Sequence, residues 1–217
     1  GVYVYLSDHW TVSGNYFGTD TTGNAVLAST TNPGVGFYTS NGSMQNTVGG
    51  ATDSHRNIFS GLRDGVSFDD SAAQSNYVYN NWIGLGADGT TVLGNERDGI
   101  TVLSTNNVVI GGAGGLGNVI VGSGRYGINL AYSNGNTTIQ GNFIGQNEDG
   151  SVVSGNASQG IQIDSQEDGG STIGGTAPGE GNTITASGGD GIAIIDSLSV
   201  DMTIRGNSIY DNVGLGI

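Results

Sequence analysis

Neither cysteine nor lysine occurs in this chain, and proline occurs only twice. Without cysteine there is no disulfide framework, and the redox compartment leaves no mark on the sequence. Positive charge is scarce too: five arginines face 19 acidic residues, for a formal net charge of −14. That balance excludes nucleic acid as a partner, because phosphates require a basic surface, and it opposes adsorption to anionic lipid. No apolar run reaches the length of a membrane span, which excludes membrane insertion. No signal peptide is visible either, so secretion would depend on a segment outside these residues.

What the chain has is glycine, 42 of it, and a recurring asparagine. Asn15, Asn57, Asn81, Asn118, Asn142, Asn182 and Asn207 are each followed, two residues later, by a large apolar residue: Phe17, Phe59, Ile83, Ile120, Ile144, Ile184 and Ile209. Spacings of 24 to 42 residues exclude a helical heptad and fit a coil with fixed corners and loops of varying length. Two more ladders keep step. Before each asparagine stands one apolar residue, Val12, Val48, Val78, Ile110, Ile139, Ile173 or Ile204. After it comes a glycine followed by alternating residues: Val2/Val4, Phe37, Val66/Phe68, Ile100/Val102, Ile128/Leu130, Ile161/Ile163 and Ile192/Ile194. Alternation is the period of a strand with one buried face, so each winding predicts three short strands. The expected fold is all-β: a parallel β-helix solenoid of about seven rungs, with three short parallel sheets, an internal asparagine ladder and uncapped ends. Glycine and asparagine are expected at the corners because both tolerate left-handed backbone.

This pattern resembles the right-handed parallel β-helix, pectin-lyase-like family, the fold of pectate lyases, polygalacturonases, phage tailspikes and many bacterial surface proteins. The resemblance spans essentially all of residues 1–217, read as a single domain. The paired units at 65–95 and 99–121 are similar to repeat arrays of secreted bacterial surface proteins, few of which have assigned activities. Neither end carries a polar capping element, so the expectation is a segment of a longer protein or a subunit of an assembly. The resemblance implies an extracellular or cell-surface location and a noncatalytic structural or adhesive scaffold that binds polysaccharide or associates with itself. The alternative is a carbohydrate-active enzyme, a polysaccharide lyase or glycoside hydrolase acting on acidic polysaccharide.

Rungs alternate between two designs, making a repeat of about 62 to 64 residues. One design inserts a segment after the third strand, at 17–27, 83–95 and 144–156; the other places a glycine-rich loop before the asparagine, at 48–57, 110–118 and 173–182. The Asp88-Gly89 and Asp149-Gly150 steps, with Asp20 in the matching loop, predict tight turns of projecting hairpins. Acidic loop residues are also candidate calcium ligands, although these loops recur only every second rung, roughly 10 Å apart. The glycine-rich loops are not phosphate sites, because no lysine or helix start follows them.

Several residues are candidate binding positions. The outward position after each asparagine reads Tyr16, Ile58, Trp82, Val119 and Phe143, an apolar stripe that demands a cover. The insertions supply Val26-Leu27, Val92-Leu93 and Val152-Val153 for that purpose; otherwise the stripe serves sugar stacking or side-by-side association. Trp82, with Tyr77 and Tyr79 nearby, is the candidate sugar platform. Arg63, Arg97 and Arg125 each stand two residues before a strand-opening glycine and are expected to stack roughly 5 Å apart. Either Asp64, Asp98 and Glu96 neutralise them internally, or they form a docking strip for carboxylated or sulfated polysaccharide.

Catalytic and cofactor signals are weak by comparison. Similarity to pectate lyases implies calcium on first-strand carboxylates and an arginine base, types offered only by Asp69, Asp70 and the arginine corner. Polygalacturonases carry paired aspartates with Gly-His-Gly and Arg-x-Lys motifs, and both motifs are missing. Asp164 and Asp196 end the first strand of adjacent rungs and are the candidate carboxylate pair. His9 and His55 lie in different loops without companion ligands and read as surface residues. No cofactor is expected beyond calcium.

Overall fold

The computed structural model describes residues 1–27, 33–69, 74–132, 135–164, 170–195 and 201–217. Its strands form three parallel sheets of seven, each strand bonded to its counterpart one winding above and below. The chain is thus a β-helix, and its register matches the three ladders residue for residue. In the first sheet Phe37, Val66, Ile100, Ile128, Ile161 and Ile192 are aligned. In the second, Val12 to Ile204 are aligned, and in the third, Phe17 to Ile209. Up to four inward side chains per rung, two from the first strand and one from each of the others, form one continuous apolar core. Each contributes roughly 1.5–3 kcal/mol on burial, and every contact is with an adjacent rung.

The asparagine ladder closes the corner between the second and third strands. Each Oδ1 accepts from the backbone N–H and the Nδ2 of the asparagine one rung earlier, as Asn142 does from Asn118 at 3.0 and 3.0 Å. From Asn57 onward each Nδ2 also donates to the carbonyl of the inward residue of an earlier second strand, as Asn118 does to Val78 at 2.9 Å. The ladder carboxamides from Asn57 to Asn182 therefore have both polar atoms bonded, which is the condition for keeping them buried. The left-handed residue at this corner is not the ladder asparagine but the one before it, Gly14, Asn80, Gly141 or Gly206. Nor does the strand-opening glycine serve a left-handed turn. A Cβ at Gly99 would lie 2.5 Å from Ile120 Cγ2 and 2.6 Å from the Gly127 carbonyl, so glycine is required there by close approach.

A second ladder holds the corner after the third strand, on alternate rungs. Asn95, Asn156 and Asn212 accept from the backbone of Leu62, Ser123 and Ser187 and donate to the carbonyls of Phe59, Ile120 and Ile184. Asn95 and Asn156 are also the last residues of two insertions, so the same bonds pin each insertion back onto the helix. The insertions are hairpins, with antiparallel bridges Thr19–Val26, Leu85–Val92 and Gln146–Val153.

Their packing differs in part from expectation. The apolar stripe is covered from within: Val119 packs with Leu85, Val121, Trp82, Phe143 and Val152. Val26 and Val92 instead sit against Gly61 and Gly122 and stay 44 and 40 % exposed. The hairpins also touch one another, because Ala87 donates to Gly23 O and Asp88 to Asn24 Oδ1, both at 3.0 Å. They therefore form a continuous outer layer beside the third sheet.

Candidate functional site

The arginine corner is stacked in register: Arg97 donates its backbone N–H to Arg63 O at 2.8 Å, and Arg125 to Arg97 O at 2.9 Å. Two of the three guanidinium groups are neutralised. Arg63 Nε binds Asp64 Oδ2 at 2.8 Å, and Arg125 grips both oxygens of the buried Asp98. Asp98 also accepts from Thr101 Oγ1, Asn129 Nδ2 and the backbone of Tyr126, and its hydrogen bonds with Arg125 raise the Arg125 pKa above its ordinary value against the opposing effect of burial. Glu96 makes no ion pair among the described residues, and Arg97 has no side-chain partner among them. The exposed Arg97 is thus the one member of the strip with its fork available.

Beside this corner lies the outer face of the first sheet. Ser67, Thr101, Asn129 and Gln162 occupy one aligned row and are 3 to 8 % exposed. Asp69, Leu103, Ala131 and Asp164 occupy the next row. Over rungs four to six this face forms an open groove of about 240 Å³, with Arg97, Arg125 and Tyr126 on one side and Tyr132 and Asp164 on the other. Arg125 stacks over the Tyr126 ring at 4.6 Å, and Tyr132 is held at φ 62° and 60 % exposed. Farther along the same face Tyr3 lies against Tyr38 at 5.2 Å with the rings tilted by 32°, and Tyr38 Oη donates to Asp69 Oδ2. None of these tyrosines has a motif that marks it in the sequence; only the register gathers them.

The remaining candidates are dispersed. Trp82 lies on the third sheet beneath the Arg56 guanidinium at 4.2 Å, while Tyr77 and Tyr79 pair with each other on the second sheet at 5.7 Å. Burial, with Tyr77 beside it, raises the Tyr79 phenol pKa. Asp20, Asp88 and Asp149 are engaged by their own turns. The Thr91 backbone and hydroxyl, then Thr90, hold Asp88 at a pKa of about 2; Thr22 and Ser151 lower those of Asp20 and Asp149. Among the described residues no group of three or more His, Asp or Glu is placed to hold a metal ion. Asp164 aligns with Ala131 on one side and, from the Ile163–Ile194 pairing, faces Ile195 on the other. Asp196 and Asp70 lie outside the described residues.

A second cleft, of about 380 Å³, opens above the third sheet and was not legible as a motif. Alternate rungs lack the glycine-rich loop, which leaves a notch between the loops at 48–57 and 110–118. Arg56 crosses it: Nε and Nη2 donate to Asn80 Oδ1 at 3.1 and 2.7 Å, and Nη2 also reaches Asp53 and Glu148 at 2.8 and 3.3 Å. Phe143 and Gly141 line the same cleft.

No family model matches the chain, and no curated protein matches it in sequence. Solved structures do. The periplasmic alginate epimerase AlgG superposes with a TM-score of 0.53 at 16 % identity, over 95 % of this chain and 39 % of that one. A doubly substituted form of AlgG gives 0.60 at 16 % identity, over 95 and 46 %. A singly substituted form gives 0.54 at 18 %, over 80 and 36 %. The chain spans less than half the length of these structures, and at such identity the likeness is one of fold. With the three aligned sheets, it makes this chain a right-handed parallel β-helix repeat protein.

Proposed function

We propose that the chain is the polysaccharide-holding β-helix of a carbohydrate-active protein that acts on an acidic polysaccharide, bound along the outer face of the first sheet. The observation that carries this reading is Arg97, an exposed guanidinium without a side-chain partner among the described residues, beside a row of hydroxyl and amide groups. A planar fork of donors matches a carboxylate in two parallel hydrogen bonds, and Thr101, Asn129 and Gln162 suit sugar hydroxyls. Tyr126 and Tyr132 offer ring faces to the apolar side of a pyranose. Salt screens the long-range repulsion between a polyanion and the net charge of −14, since the Debye length is about 8 Å at physiological ionic strength, and leaves the local contacts to decide binding. The fold neighbours are alginate epimerases, which supports an acidic polysaccharide, and AlgG's periplasmic setting agrees with an extracytoplasmic location for this chain.

Titration with polymannuronate and polygalacturonate, by affinity electrophoresis and calorimetry, tests the reading. Binding to the native chain, weakened at least tenfold by Arg97→Gln, is expected; no retention of either polymer would sink it. A second reading keeps the binding and drops the chemistry. Asp164 is the only carboxylate lining the groove among the described residues, and its register neighbour is Ile195, so a rigid scaffold needs nothing more. Proton NMR of the incubated polymer separates the two readings, through unsaturated ends or altered C-5 configuration.

A further inference from the structure

Arg56 and Asn80 present donors that the protein leaves unused. Asn80 is 4 % exposed, its Oδ1 is taken by Arg56, and its Nδ2 has no partner among the described residues. Arg56 spends Nε and Nη2 on Asn80, Asp53 and Glu148, which leaves both Nη1 hydrogens without an acceptor among the described residues. Neither donor is sealed from solvent: both open into a notch, where an acceptor from outside the chain can reach them. Both residues line the notch of about 380 Å³, a volume within the ordinary range for small-ligand sites. Around them stand two acceptors, the carboxylates of Asp53 and Glu148, and below them the ring of Phe143.

These groups define the ligand by exclusion. An anion meets two carboxylates against one guanidinium, and a cation meets the amide and guanidinium hydrogens. A neutral polyol suits both, since each hydroxyl accepts from Asn80 Nδ2 or Arg56 Nη1 and donates to Glu148 or Asp53. An aromatic floor under such a frame fits the C–H face of a pyranose. The glycine walls at 112–117 admit a ring against the backbone, and nothing lies within 4 Å of a Cβ placed on Gly114 or Gly115.

We propose that this notch is a second glycan site, selective for a neutral sugar residue and separate from the arginine-lined groove of the first sheet. The test is two-dimensional NMR of the whole chain with mannotriose, cellotriose and maltotriose as probes. At least one is expected to shift the Asn80 side-chain amide while leaving Arg97 Nε unmoved. Ala51 is exposed at the rim, so Ala51→Trp fills the notch without disturbing the core and is expected to weaken that binding at least tenfold; Phe143→Leu, which keeps the packing and loses the ring, should do likewise. Arg97→Gln should leave it unchanged. An Asn80 amide that ignores all three probes, or responds instead to polymannuronate, or binding that survives Ala51→Trp, would each overturn the assignment.

Discussion

One carboxamide in this protein replaces a whole turn's worth of backbone pairing. Asn118 accepts from Asn81 N and Nδ2 at 2.9 and 3.1 Å and donates to Val78 O and Asn142 Oδ1 at 2.9 and 3.0 Å. Asn118→Ala strips partners from a buried N–H and a buried C=O, at about 1–3 kcal/mol each. A loss of about 3 kcal/mol in urea unfolding is expected, and a loss below about 1 kcal/mol would show that water replaces the side chain. Asp88 makes a prediction of a different kind. Its folded pKa, about 2, lies below the ordinary aspartate value of about 3.9, so the turn's stabilisation is complete above the ordinary value and is lost as pH falls toward the folded one. Amide exchange at Thr90 and Thr91 should therefore quicken between about pH 4 and pH 2, and Asp88→Ala should abolish that dependence. The ladder asparagines are visible in the sequence because they repeat at fixed distance from an apolar partner. Arg56 and Asn80 are not, because each occurs once and the two meet only when rungs two and three stack.

At the level of elements, two kinds of glycine look alike in the sequence and differ in their constraint. Gly89 has φ 71°, and a Cβ there would lie 2.8 Å from the Trp82 ring; Gly114 has φ 74° and open space around it. Gly89→Ala therefore carries backbone strain plus a clash, and Gly114→Ala only the strain. Thermal melting is expected to fall several degrees further for Gly89→Ala; equal shifts would mean the hairpin does not seat on the tryptophan. The same contact recurs on the first rung, where Tyr16 meets Gly23; on the fifth, Gly150 meets only Gln146 and Phe143 packs elsewhere. Asp-Gly steps identify such hairpins from sequence alone. That they stack on one another, through Ala87 to Gly23, depends on their lean away from the helix, which no local residue encodes.

The molecule as a whole carries far more negative than positive charge, spread along a stack of rungs whose strands pair only with those of adjacent rungs. Self-repulsion of 19 acidic residues against five arginines outweighs the few ion pairs that salt would weaken. Raising sodium chloride from about 10 to about 150 mM, which shortens the Debye length from roughly 30 to 8 Å, should raise the urea midpoint; a fall would mean the Arg125–Asp98 type of pair dominates. The three-sided core and its register were already readable in the spacing of apolar residues and asparagines, because each rung repeats the same local geometry and errors cannot accumulate unnoticed. The pairing of Arg63 with Asp64 was readable as well, since the partners are adjacent. That Arg125 reaches back to Asp98 while the Arg97 side chain has no partner among the described residues required coordinates, as did the notch between the glycine-rich loops. Both arise where side chains from different rungs converge at distances set by the winding, and a linear pattern holds no record of which neighbour a long, flexible side chain will choose.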